Sequence, residues 1–163
     1  MLMALTLHDI TSNLREGVDP VPRSAMNLVP SIIIQSPFHA LMSSKYAMIE
    51  FSGRKTGRTY KTPIAYVRDG NQLLMSTDSP WHRNLAGGAQ VRMRLRGHMV
   101  KGTADTVGPD RSAEILRQLV DAIPSYARPA GLTRKDGHVS DSEITRAVTE
   151  GRVGIEVRLE AAP

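Results

Sequence analysis

The dipeptide Asp69-Gly70 stands between two strand-like runs, Tyr60 to Arg68 and Gln72 to Thr77. An Asp-Gly pair there is a two-residue hairpin turn, and a hairpin makes its two strands antiparallel. More strands flank it. Tyr46 to Phe51 is a short apolar run ending at Gly53. Val91-Arg92-Met93-Arg94-Leu95-Arg96 alternates apolar and basic at every step. That is the two-residue period of a half-buried strand with its arginines on a solvated face. Gly97-His98 turns into a fifth strand through Val107, and Val153 to Leu159 alternates again. Pro63 marks a bulge or an edge position in the second strand.

Helices are few and peripheral. Ser79-Pro80-Trp81 starts a short one, with Ser79 as N-cap, Pro80 at the first position and Gly87-Gly88 at its end. Pro109-Asp110 opens a longer one whose Ile115, Leu116, Leu119, Val120 and Ile123 share a face. Ser140 and Glu143 form a capping box for a third, which Gly151 ends. Pro124 to Val139 reads as a polar loop. The strand-helix-strand alternation of a doubly wound sheet is missing. The chain is therefore mainly β (α+β), a small barrel with peripheral helices.

The organisation is one domain over 23–163, preceded by a loose arm over 1–22 that Gly17, Pro20 and Pro22 interrupt. Within the domain, Ser24 to Ser43 carries apolar residues at helical spacing and is broken near Pro37. It reads as a helix over one barrel end, with contact to a membrane surface as the second reading. Only Arg23 and Lys45 flank it, whereas an interfacial helix carries basic residues along its polar face. No leader peptide is evident, and the stretch Leu28 to Met42 is too short and too polar to span a bilayer.

The 163 residues include no cysteine, which excludes disulfides, thiolate catalysis and sulfur-bound metal, and suits a reducing cytoplasm. His8, His39, His82, His98 and His138 are scattered without metal-ligand spacing, so no metal site is expected. The net charge of +5 attracts phosphates. Nucleic-acid binding would need exposed aromatics among the cations, and aromatics are only 4% of the chain.

Two segments carry chemistry. Ser52 to Pro63 holds Arg54, Lys55, Arg58 and Lys61 with Gly53, Gly57 and several hydroxyls. Glycines let backbone N–H groups converge on an anion, and cations with hydroxyls complete such a site. A solvated basic hairpin turn has the same composition, and composition does not separate the two. It is not a Walker A loop, because the spacing is wrong. The second segment, Ser76 to Asn84, runs from a strand end into a capped helix start, a natural place for an anion or a polar ring. Trp81, the only tryptophan, packs on a ring system or serves as core or lid. His82 has no carboxylate partner nearby in sequence.

Together these segments resemble the deazaflavin (coenzyme F420)-dependent nitroreductase family, within the flavin/deazaflavin oxidoreductase split-barrel superfamily. The resemblance rests on Gly53-Arg54-Lys55-Thr56-Gly57, Thr62-Pro63, Val67-Arg68-Asp69-Gly70, Trp81-His82-Arg83-Asn84-Leu85 and Pro124-Ser125-Tyr126. It runs from about Ser36 to Tyr126. It implies a split β-barrel of about six antiparallel strands, like the FMN-binding proteins. It implies coenzyme F420 as cofactor, with FMN as second choice. Arg54, Lys55 and Thr56 would hold the cofactor's phosphate or acidic tail. Tyr60, Lys61, Thr62, Pro63, Ile64 and Ala65 would line its ring and chain. Ser76, Thr77, Asp78 and Ser79, with Pro80, Trp81, His82, Arg83 and Asn84, would complete the pocket. Tyr126 would face the substrate, and Ser76, Tyr126 and backbone amides would stabilise negative charge on the acceptor.

The implied reaction is hydride transfer between the reduced deazaflavin and a small-molecule acceptor: a quinone, a nitro compound or an activated alkene. The alternative is a non-catalytic carrier of a flavin, fatty acid or tetrapyrrole. Asp78 stands where the nitroreductases present a lysine, and Tyr60 where many members carry arginine. The oligomeric state is open.

Overall fold

The computed structural model describes residues 44–160 of the chain. The expected arm over 1–22 and the Ser24–Ser43 helix lie outside the described residues. Six strands close into a barrel: β1 (Tyr46–Ser52), β2 (Thr59–Asp69), β3 (Gln72–Thr77), β4 (Ala89–Leu95), β5 (His98–Thr106) and, after a small hairpin β6 (Arg134–Lys135) and β7 (His138–Val139), β8 (Val153–Leu159). The order around the barrel is β1-β2-β3-β8-β5-β4, and every neighbouring pair is antiparallel. The mainly β split-barrel expectation is met.

Local chemistry sets the hairpins. Asp69 pairs with Gln72 across the Asp-Gly turn, where Gly70 takes φ +57°. At the β4–β5 turn Leu95 pairs with His98 across Arg96 and Gly97, at φ +47° and +84°. Two positive φ values in a two-residue loop match the twist of the flanking strands. Alternation then sorts the faces. Val91, Met93 and Leu95 of β4 join Ala47, Ile49 and Phe51 of β1 in the barrel core, while Arg92 and Arg94 point out.

A second core lies outside the barrel. Helix α1 (Pro109–Ala122) lays Ile115, Leu116, Leu119 and Val120 against Ala65 of β2 and Leu74 of β3. Helix α2 (Asp141–Thr149) adds Ile144 and Ala147. The orphan carbonyls at the end of α1 are met by Arg134 Nη1 on Val120 O at 2.8 Å and Lys45 Nζ on Ala122 O at 2.8 Å.

Three local expectations change. Pro63 introduces no bulge, pairing in register with Met48. However, β2 pairs with β3 only from Tyr66 to Asp69, so among the described residues Thr59 to Ala65 has no strand on that side. Tyr66 N–H donates to Lys45 O, on the β1 side. By antiparallel alternation Lys61, Pro63 and Ala65 therefore aim their backbone groups away from β1, into the split. Proline is tolerated there because no ladder bond is asked of it.

The presumed loop after Pro124 is more ordered than its polarity suggests. A 3₁₀ turn spans Pro124–Tyr126, Ala127, Ala130 and Leu132 are buried, and β6–β7 turns on Asp136-Gly137. Ser140 does cap α2 by accepting from Glu143 N–H at 3.3 Å. The Glu143 carboxylate does not complete the box; it accepts from Thr133 N–H and Arg146 instead.

Candidate active site

Antiparallel connectivity gathers one set of strand ends. The end of β1, the start of β2, the end of β3 and the start of β8 share one mouth of the barrel. The β1–β2 turn, the loop after β3 and Arg152 therefore meet there.

The β1–β2 turn is held from within. Gly53 N–H donates to Arg58 O at 2.7 Å, Gly57 N–H donates to Gly53 O at 2.8 Å, and Arg58 N–H donates to Thr56 Oγ1 at 3.3 Å. Gly57 takes φ +67°. The aromatic ring of Tyr60 lies on Gly53, where a Cβ would come within 2.7 Å of Cε2. Among the described residues, the N–H groups of Lys55 and Thr56 and the Lys55 ammonium take no partner. They are exposed at the tip of the turn. Two amides and a cation left without partners among the described residues are the donor types of an anion cradle.

Pro80–Asn84 is a 3₁₀ turn rather than an α-helix, and the Ser79 hydroxyl does not cap it. Instead Ser79 N–H donates to Thr77 Oγ1 at 3.1 Å. Trp81 packs at the barrel mouth: its ring stacks on Phe51 at 5.1 Å, and Phe51 stacks on Tyr60 at 5.8 Å. Of the two readings of the tryptophan, the structure shows core. Asn84 reaches back to the β1–β2 turn. Its Oδ1 accepts from Arg54 N–H at 3.0 Å, its Nδ2 donates to Trp81 O at 3.0 Å, and Arg54 Nη1 donates to Arg83 O at 3.0 Å. The two segments singled out in the sequence are thus bonded to each other. Burial and the adjacent Arg83 cation lower the His82 pKa, which keeps the imidazole neutral near pH 7.

Along β2 the expected lining residues divide. Thr62 and Ile64 are buried, and Tyr60 packs against the barrel core from the same side. Ala65 is buried under α1, and Lys61 bonds Glu50 at 3.1 Å on the outer surface. What this segment offers the split is backbone.

Tyr126 and Ser76 do come together, but inside the fold. The Tyr126 hydroxyl donates to the Ser76 carbonyl at 2.8 Å and accepts from Arg152 Nη1 at 3.2 Å. Arg152 Nη2 lies 3.2 Å from Asp78 Oδ2. Arg152 is 5% exposed and Asp78 71%. Burial raises the Tyr126 pKa, with the Arg152 cation opposing, so the phenol stays protonated. Its proton is committed to Ser76, and the Ser76 hydroxyl is buried without a partner. Arg152 was absent from the sequence reading: a lone arginine between Gly151 and Val153 carries no motif. No group of acidic or histidine residues suited to a metal occurs among the described residues.

A family model described as F420H(2)-dependent quinone reductase matches residues 37–139, which takes in the turn, the split edge, the 3₁₀ turn and Tyr126. The chain belongs to that family. It is an F420-dependent oxidoreductase, and coenzyme F420 is its cofactor. Among solved structures, the heme storage protein HutZ of Vibrio cholerae is similar over 77% of this chain and 88% of that one, at 10% identity and TM-score 0.52. The protein Atu2129 of Agrobacterium tumefaciens is similar over 83% of this chain and 58% of that one, at 14% identity and TM-score 0.52. An F420-H2 dependent reductase, FDR-A, is 15% identical over 69% of this chain and 93% of its own, with TM-score 0.47. The first two likenesses show the split-barrel fold.

The described residues of this F420-dependent reductase suit a cofactor with an anionic tail and a flat ring. The cradle at Lys55 and Thr56 supplies positive charge and N–H donors. The unpaired edge of β2 supplies backbone groups beside it. No helix among the described residues is long and apolar enough to cross a membrane.

Proposed function

We propose that this reductase moves a hydride from reduced F420 to a quinone, with the cofactor's phosphate or acidic tail in the Gly53–Arg58 turn. The carrying observation is the turn itself, where Lys55 and the Lys55 and Thr56 amides have no partner among the described residues. The backbone of Lys61 to Ala65 along the split would hold the cofactor's ring. When bound, the reduced deazaflavin supplies the hydride.

The chain's own part is binding and placement. The Trp81–Phe51–Tyr60 stack closes the barrel mouth with apolar surface and keeps water from beneath the ring. Backbone N–H groups at the split polarise the acceptor as negative charge develops on it. Tyr126 acts at one remove: it holds the Ser76 carbonyl and Arg152, and so fixes the start of the Asp78–Asn84 segment.

The test is a fluorescence titration with F420, and separately with FMN, followed by F420H2 oxidation with menadione as acceptor. Binding of F420 with turnover is expected. Lys55→Ala should weaken F420 by about tenfold or more at an unchanged melting temperature, as loss of a charge-assisted contact implies. Absence of F420 binding refutes the assignment, and binding without any oxidation by quinones favours a carrier.

A further inference from the structure

The Arg54 side chain has two available uses. It can reach the tip of its turn and add a third donor to the anion cradle, or it can hold the turn in place. The structure shows the second. Its Nη1 donates to Arg83 O at 3.0 Å, and its own N–H donates to Asn84 Oδ1 at 3.0 Å. Arg54 is therefore tied at both ends to Pro80–Asn84, thirty positions away in the chain. The choice has a physical reason. Arg83 O lies at the C-terminal end of the 3₁₀ turn, where carbonyls lack backbone partners and a cation is favoured.

Asn84 completes the tie in a way that few side chains can. Its carbonyl oxygen accepts from Arg54 while its NH₂ donates to Trp81 O at 3.0 Å. A carboxylate of the same shape would accept from Arg54 but set negative charge against the Trp81 carbonyl. An aliphatic side chain would do neither. The tie fixes the Gly53–Arg54 peptide and the Arg54 side chain, and through them the direction of the two amides that follow. Trp81, which Asn84 holds, is also stacked on Phe51.

We propose that Arg54 and Asn84 are positioning residues, a cross-tie that aims the Lys55 and Thr56 amides and the Lys55 ammonium at the cofactor's anionic tail, and that Arg54 does not itself contact that anion. The proposal rests on the reading of the turn as an anion cradle. It assigns Lys55 the anion contact alone among the turn's first two cations, and it makes the amide of Asn84 a determinant of cofactor affinity.

The experiment measures F420 dissociation constants across a range of salt concentrations for the full chain and for Lys55→Met, Arg54→Met, Asn84→Asp, Asn84→Ala and Arg54→Met/Asn84→Ala. A direct anion contact is screened by salt, so its removal flattens the salt dependence. Lys55→Met should flatten it. Arg54→Met should weaken binding by about tenfold and leave the salt dependence as it was. Asn84→Ala and Asn84→Asp should weaken it to a similar degree. The double variant should be no worse than the poorer single, because the Arg54–Arg83 and Arg54–Asn84 bonds hold the turn only together, and losing either one frees it.

Flattening by Arg54→Met to the extent seen with Lys55→Met overturns the proposal, as do effects that multiply in the double variant. A second readout separates failure of the tie from failure of the cradle. Amide hydrogen exchange in the ligand-free chain should speed up at Arg54 and Gly57 in Asn84→Ala, which removes the acceptor of the Arg54 N–H, and stay unchanged in Lys55→Met. Unchanged exchange in Asn84→Ala overturns the tie whatever the ligand does. Faster exchange there, with Lys55→Met still binding F420 normally, upholds the tie and removes the cradle.

Discussion

Tyr126→Phe isolates one hydroxyl in a setting where its loss has a calculable cost. The ring stays, with its packing among Ile123, Ala127 and Ala130. What goes is a donor at 2.8 Å from Ser76 O and an acceptor at 3.2 Å from Arg152 Nη1. A hydrogen bond to a charged group contributes about 1.5–3 kcal/mol, and the neutral bond to Ser76 about 1. The total is about 3 kcal/mol. For a chain of this size that is a fall in melting temperature of about 6–12 °C.

Arg152→Met behaves differently. It removes the buried charge itself, Tyr126 keeps its bond to Ser76, and Asp78, at 71% exposed, returns to water. The cost should be about 1 kcal/mol. In the double variant no buried cation is left wanting an acceptor, so the total should be about 2 kcal/mol, less than for Tyr126→Phe alone. Thermal and urea melts followed by circular dichroism measure all four corners of the cycle. Additive losses would refute the reasoning, and so would a Tyr126→Phe cost below about 0.5 kcal/mol.

The same hydroxyl titrates. Burial holds its pKa above the free value, so the unfolded chain ionises first. Stability should therefore be flat below about pH 9 and fall as pH rises past about 10, a fall that melts of Tyr126→Phe show reduced. On the acid side, the lowered His82 pKa means that the unfolded chain takes up the proton first. The contribution is present above about pH 6.5 and lost below it, and His82→Gln should blunt that loss in melts from about pH 8 to 5. Gly102→Ala would set a Cβ 2.6 Å from Arg158 O, a backbone atom of the neighbouring strand. It should cost about 1–3 kcal/mol in urea unfolding, since β5 and β8 must part to admit it.

The strands were legible wherever the period and the turn chemistry were local. Gln72 to Thr77 emerges with its observed limits because Asp69-Gly70 and Ser79-Pro80 bracket it, and Val153 to Leu159 because it alternates after Gly151. The β6–β7 hairpin did not emerge, although Asp136-Gly137 lies at its turn. Strands of two residues have no period to read. A small barrel was legible from the run of hairpin strands, but the pairings that close it were not. Phe51 pairs with Val91 and Gln72 with Arg158, and nothing near any of the four residues announces its partner. The site divides in the same way. Lys55 belongs to a glycine turn that any reader of the sequence would mark. Arg54 sits beside it in that turn and has a different employment, because an arginine offers five donors and the sequence does not say where they go.

Pro63 ties fold and site together. A barrel with every strand fully paired would have no place in mid-strand for a residue lacking an N–H. β2 carries one because its Thr59–Ala65 half lacks a partner toward β3. Pairing resumes only at Tyr66. The unpaired half lies between the Gly53–Arg58 turn and the Ser76–Asn84 segment, the two stretches of chain that meet through Arg54 and Asn84. The break in the ladder and the cradle thus share one cause. A chain that closed β2 onto β3 along its whole length would satisfy its own backbone groups and leave none for a ligand. An unsatisfied strand edge is ordinarily a liability. Here it opens beside a turn whose Lys55 and Thr56 amides and Lys55 ammonium have no partner among the described residues, the groups that the proposed placement of a flat polar ring with an anionic tail would use.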